Sequence, residues 1–182
     1  YSDGSTETFT SYGVTYSLEG ENVSFANLTG NTIEASNSSN TYKQVTVRVT
    51  YSSGGATVTD SRTLNVRPKY PVSVNITPSN NNFTLPSGVA LSSGQSISFS
   101  ATAMFNDGSI GECTSSSIWT ITILHSDGGT RVISGNTVSY SQLFDEEEYT
   151  ITGVTVMASY TTDDGLQSTT ATGTLSGLIT LQ

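Results

Sequence analysis

The clearest pattern in the chain is the run SISFSATAMF. Ile97, Phe99, Ala101, Ala103 and Phe105 fall on one side of it, and Ser98, Ser100, Thr102 and Met104 on the other. Alternation with a period of two predicts a strand with one buried face. Asn106-Asp107-Gly108 then predicts a turn, because Asn and Asp bond their own backbone and Gly accepts positive φ. Similar runs follow. VSVNIT (72–77) is expected to stop at Pro78, which has no N–H for a ladder. SIWTITIL carries the only Trp, Trp119, placed in the core of its strand. Ser126-Asp127-Gly128-Gly129 predicts a hairpin and Gly135-Asn136 a further turn. Val154, Val156, Ala158 and Tyr160 line one face of a late strand, and a last strand begins near Leu166. No stretch has helical periodicity. The acidic QLFDEEEY is the one helix candidate, and it is short enough that a charged loop is expected instead.

The pattern occurs twice. Asp3-Gly4-Ser5 matches Asp107-Gly108-Ser109; LTGNTI from Leu28 matches ISGNTV from Ile133; VTVRVTYSSGG from Val45 matches VTVMASYTTDD from Val154. The three matches stay collinear, with slowly growing offsets, as two copies of one unit with small loop insertions require. Short strands separated by regular turns read as β-sandwiches of immunoglobulin type. The expected fold class is therefore all-β, with tandem immunoglobulin-like sandwiches. The expected boundaries are a partial sandwich over 1–67, a linker over 68–71 stiffened by Pro68 and Pro71, and a complete sandwich with a C-terminal extension over 72–182. Tyr1 aligns with Phe105, so the first sandwich lacks counterparts of two N-terminal strands. They are expected to come from further polypeptide of the same protein, or from a neighbouring molecule by strand addition. GLITLQ at the C-terminus runs past the end of the first copy's TLNV and reads as a donated strand or the start of another repeat.

Pro78-Ser79, Gly94-Gln95-Ser96, Phe105 with Asp107-Gly108-Ser109, Trp119, Gly135 to Val138 and Val154 to Val156 stand in a fixed order. Together they resemble the group 2 bacterial immunoglobulin-like domain (Big2). Tyr16 stands near the Trp position of the first copy, one residue out of step. The resemblance implies spacers, display modules or binding modules, as in intimin- and invasin-like adhesins, other cell-surface proteins and phage virion proteins.

Composition narrows the setting. Six Lys and Arg against fifteen Asp and Glu give a net charge of -9 and argue against nucleic acid and anionic membrane surfaces. Only 12% of residues are charged; Ser, Thr, Asn and Gly take their place, as in extracellular β modules. No apolar run is long enough to span a membrane. The single cysteine, Cys113, forms no internal disulfide, which favours a bacterial, archaeal or phage source.

Candidate chemistry is sparse. His125 is the only histidine and stands beside an Asp-Gly turn; Cys113 lies across a strand from it, so no nucleophile–base pair is expected and the chain reads as no enzyme. No catalytic, cofactor-binding or metal residue is assigned. Asp145 to Glu148 and Asp163-Asp164 offer oxygens to calcium but lack the spacing of a calcium loop and read as solvated loops. Asn22, Asn27, Asn37, Asn75 and Asn82 head glycosylation sequons, and Lys43 and Lys69 read as ordinary surface lysines rather than isopeptide donors. Tyr51 and Tyr160 match across the repeat as core or sandwich-corner residues, whereas Tyr12, Tyr16, Tyr42 and Tyr140 are expected buried or half-buried. The expected role is a structural spacer of an extracellular, adhesin-like surface protein whose partners are neighbouring immunoglobulin-like domains. The alternatives are a virion or filament subunit assembled by strand donation, and a receptor- or glycan-binding module.

Overall fold

The computed structural model describes residues 13–144 and 150–182. In chain order the strands are β1 (Val14–Glu19), β2 (Ala26–Thr29), β3 (Thr32–Ala35), β4 (Lys43–Ser53), β5 (Ala56–Val66), β6 (Pro71–Pro78), β7 (Val89–Leu91), β8 (Ser96–Phe105), β9 (Ile110–Glu112), β10 (Ile118–His125), β11 (Thr130–Ser134) and β12 (Thr137–Ser139). A one-turn helix α1 (Tyr140–Leu143) follows, then β13 (Ile151–Asp163), β14 (Ser168–Gly177) and β15 (Ile179–Leu181). The protein is all-β. It divides into two compact units, the first running to Lys69 and taking in Asp163–Gln167, the second made of Tyr70–Thr162 and Ser168–Gln182.

The division differs from the expected linker over 68–71. Pro71 is already the first residue of β6, opposite Phe105. A first strand position tolerates proline, because the missing N–H is not needed there. Tyr70 is fixed too: its N–H donates to Asn106 Oδ1 at 2.9 Å, and its carbonyl accepts from Asn106 N–H at 3.0 Å.

In the second unit, β10 and β13 are the central strands of the order β11-β10-β13-β14, and β8 lies between β12 and β6 with β9 on its edge. Their inward faces share one core, the arrangement of a β-sandwich. Ile97, Phe99, Ala101 and Ala103 of β8 are each at most 2% exposed, as are Ile121 and Ile123 of β10 and Val154, Val156 and Ala158 of β13. Met104, on the other side of β8, is 45% exposed. The alternation read from the sequence is thus the burial pattern. Each large apolar side chain buried this fully contributes about 1.5–3 kcal/mol. Trp119 is buried in β10, and its indole N–H donates to the Thr114 carbonyl at 2.9 Å. Phe105 and Tyr160 meet edge to face at 6.3 Å.

Close approaches are made by glycines. A Cβ on Gly173 of β14 would collide with the carbonyl of Val74 in β6, and one on Gly177 would lie 2.5 Å from the ring of Phe83. Phe83 is 1% exposed and packs edge to face on Phe99 at 5.2 Å. The GLITLQ segment is neither surplus nor extended away. β15 pairs in parallel with β7 of its own unit, Ile179 opposite Val89, and Ile179 is fully buried. Alternate apolar residues, Ile179 and Leu181, hold it to the same core. The expected charged loop begins with a helical turn. Ser139 caps α1, its oxygen accepting from Gln142 N–H while the Gln142 side chain accepts from Ser139 N–H at 2.9 Å. Asp145 to Glu148 lie outside the described residues.

The first unit is thinner. β4 lies between β1 and β5, and β2 and β3 form a separate hairpin. Among its described residues only Val45, Val66, Pro68 and Asp164 are buried. In β5 every residue from Ala56 to Thr63 is exposed, on both faces.

Candidate functional site

The turns that carry the repeated motifs show why those residue types are used. Asp107 Oδ1 accepts from Ser109 N–H at 2.9 Å and from its hydroxyl at 2.6 Å, closing the loop over Gly108, whose φ of +80° suits glycine. Asn136 ties the chain to β8: its carbonyl accepts from Phe99 N–H at 2.8 Å and its side chain donates to the Phe99 carbonyl at 2.9 Å. Ser79 and Gln95 likewise receive the N–H groups of Ser98 and Ser92, at 3.1 and 2.8 Å. All of these groups hold the strands in place.

The residues with reactive side chains do not converge. Cys113 is 2% exposed, and its thiol donates to the Ala101 carbonyl at 3.4 Å. His125 ends β10, whose start lies beside Cys113, so the length of the strand, about 20 Å, separates them. His125 N–H donates to Gly129 in the Ser126–Gly129 turn. Among the described residues no three His, Cys, Asp or Glu side chains gather as metal ligands would.

Asp163 and Asp164 have separate tasks. Asp163 Oδ1 accepts from Gly165 N–H at 2.9 Å. Asp164 is 4% exposed, the one buried charged residue in the described chain. Its Oδ1 accepts from the N–H groups of Leu166 and Gln167 at 2.8 and 3.0 Å, and its Oδ2 pairs with the Arg67 guanidinium. The Gln167 backbone N–H, first, and then Leu166 N–H and Arg67 hold this carboxyl below the usual aspartate range, against the opposing effect of burial. Its backbone carbonyl also accepts from Tyr42 N–H at 3.0 Å, and Tyr42 is half-buried next to Gly165. Both oxygens of Asp164 are therefore used within the first unit. Sequence reading weighed this pair as calcium ligands and missed the arginine. An Asp that starts a turn, followed by two amides it can accept from, was the available signal.

The sequons divide by environment. Asn37 is half-buried and committed, its amide donating to the Val66 carbonyl at 2.7 Å and its oxygen accepting from Ser39 N–H at 2.9 Å. Asn22 donates to Gln44 at 3.2 Å, whereas Asn27, Asn75 and Asn82 are exposed. The Lys43 ammonium lies 5.7 Å from the centre of the Phe25 ring, a cation–π contact, while Lys69 is exposed. Tyr16, Tyr42 and Tyr140 are half-buried, as expected, and so are Tyr51 and Tyr160, whose match across the repeat predicts a core or sandwich-corner place; Tyr12 lies outside the described residues. Tyr140 stacks on Phe144 at 5.6 Å, and Phe144 is 52% exposed.

Two registers coincide. Tyr16 stands opposite Val49 across β1 and β4, and Trp119 opposite Ala158 across β10 and β13. Val49 and Ala158 are equivalent in the sequence match VTVRVTY/VTVMASY, so the pairing puts Tyr16 and Trp119 in equivalent places. A hydroxyl pair recurs near the following turn: Ser52 with Thr57 at 3.0 Å, and Thr161 with Thr170 at 2.8 Å.

No helix among the described residues is long and apolar enough to cross a membrane. No protein-family model matches the chain, and no curated protein is significantly similar to it.

Proposed function

We propose that this chain is a non-enzymatic spacer made of tandem immunoglobulin-like units, part of an extracellular, adhesin-like surface protein. The observation that carries the reading is the pair of equivalent registers, Tyr16 opposite Val49 and Trp119 opposite Ala158. One strand pairing used in both units suits a modular spacer, and the polar side chains of the motifs are spent on turns. The surface rich in Ser and Thr, with 12% charged residues, fits an extracellular setting.

The second unit has the geometry a load-bearing spacer needs. β15 runs parallel to β7. Once β6 has parted from β8, tension on the two ends of the unit pulls β7 and β15 in opposite directions along their length, so their hydrogen bonds are loaded together. A β-hairpin pulled at its open end loses them one at a time.

Single-molecule stretching of the full chain tests this. The expected record has a cooperative rupture of the Tyr70–Gln182 unit, releasing roughly 3.5 Å of chain per residue. Replacing Thr180 by proline, which removes a β15 N–H, lowers the rupture force while leaving Trp119 buried. Gradual extension with no discrete rupture overturns the spacer reading.

A further inference from the structure

β5 is the outer strand of the order β1-β4-β5, eleven residues long. Among the described residues no strand pairs with its other edge, and Ala56 to Thr63 are exposed throughout. A long exposed edge offers a row of unpaired backbone groups to another strand, and proteins usually blunt it with charge. β5 carries charge at Asp60 and Arg62, of opposite sign, flanking Ser61.

That arrangement is self-complementary. When a second copy of β5 is set antiparallel with Ser61 opposite Ser61, Asp60 of each copy faces Arg62 of the other. On the same face Val58 meets Leu64 and Ala56 meets Val66; on the opposite face Thr59 meets Thr63 and Thr57 meets Asn65. Directly opposed side chains are 4.5–5.5 Å apart at Cβ, close enough for ion pairs and apolar contacts. Other registers fail. A shift of one residue sets the apolar face of one copy beside the polar face of the other. A shift of two opposes Asp60 to Asp60 or Arg62 to Arg62, and an in-register parallel pairing sets like charges side by side. Ser61 N–H is at present held by the carboxylate of Asp60, at 2.8 Å. Pairing transfers that N–H to a carbonyl of the second copy and frees Asp60 for the facing arginine.

We infer that two copies of this chain join edge to edge through β5, antiparallel about Ser61, into one six-stranded sheet with two-fold symmetry. The interface contains two Asp60–Arg62 pairs. It removes the exposed edge from both copies at once.

Sedimentation equilibrium of the full chain over a range of concentrations is the test. The expected mass is twice 19.1 kDa, falling to 19.1 kDa on dilution or in 1 M salt. Asp60→Arg and Arg62→Asp, singly, each oppose like charges twice in the interface and weaken the dimer at least about tenfold. The two changes together restore opposite charges in reversed order and bring the dimer back, which separates a lost interface from a damaged fold. A chain that stays at 19.1 kDa at about 100 µM overturns the inference. So does a dimer indifferent to Asp60→Arg, or a doubly substituted chain that stays monomeric. None of these outcomes bears on the rupture of the second unit under force, so the spacer reading stands or falls separately.

Discussion

Phe83 and Gly177 occupy one space, and their coupling is measurable. The ring of Phe83 lies where a side chain at Gly177 would begin, 2.5 Å from the ideal Cβ, and carbon atoms settle at 3.5–4.0 Å. Gly177→Ala therefore requires the ring to retreat by about 1 Å in a core with no slack, at a cost of about 1–3 kcal/mol. The backbone of Gly177 has no positive φ, so alanine returns about 0.4–1 kcal/mol by restricting the unfolded chain. The net cost in the native background is about 0–2.5 kcal/mol. Phe83→Ala removes a fully buried ring and its contact with Phe99, costing about 3–5 kcal/mol. In that background Gly177→Ala has no ring to displace and the added methyl enters the cavity, so the change becomes neutral or stabilising by up to about 1 kcal/mol. The two substitutions together are then less damaging than their sum by about 1–3 kcal/mol. Urea unfolding followed by Trp119 fluorescence reads this out, because the single Trp lies in the core of the same unit. With m of about 2 kcal/mol/M, Phe83→Ala shifts the midpoint by about 2 M. Additivity within about 0.5 kcal/mol would refute the packing argument.

Three further predictions concern single groups. Asp164, with its carboxyl held below the ordinary value near 3.9, stabilises the fold above that pH and loses this contribution as pH falls below it. Asp164→Asn should flatten the acid side of the stability profile, and the Leu166 and Gln167 amide resonances of the parent should move with a midpoint below the usual aspartate value. The Cys113 thiol should react with a thiol reagent at a rate set by unfolding, slowly in buffer and at once in urea, since it is 2% exposed and bonded to Ala101. Asp107→Ala should cost about 0.5–1.5 kcal/mol by stranding Ser109 N–H, with Asp107→Asn largely restoring stability; an unchanged urea midpoint for the alanine variant would show that the turn does not depend on this bond.

Much of the second unit was legible in the sequence. A period of two is the geometry of a strand, so SISFSATAMF fixed which side of β8 faces inward before any partner was known. The turn residues were equally local: Asp107-Gly108-Ser109, Ser126 to Gly129 and Gly135-Asn136 act through bonds to atoms a few residues away, or through a φ that glycine alone takes easily. Trp119 was placed in the core because no polar environment accommodates an indole at an inward strand position.

Other features depended on who pairs with whom. The residues of GLITLQ read the same whether the strand is donated or kept; only the parallel pairing with Val89–Leu91 made it part of its own unit. Asp164 looked like half of an acidic pair until the fold brought Arg67, far away in the chain, to its second oxygen. The first unit read as incomplete because Tyr1 aligns with Phe105, but nothing in the sequence pattern singled out Asp60 and Arg62. Their meaning came from the exposed edge on which they stand. By itself, the sequence determined which residues alternate and which turn, because those properties belong to one strand and its nearest neighbours. The tertiary structure decided pairing, burial of charge and the free edge, because each depends on contacts between segments remote in the chain.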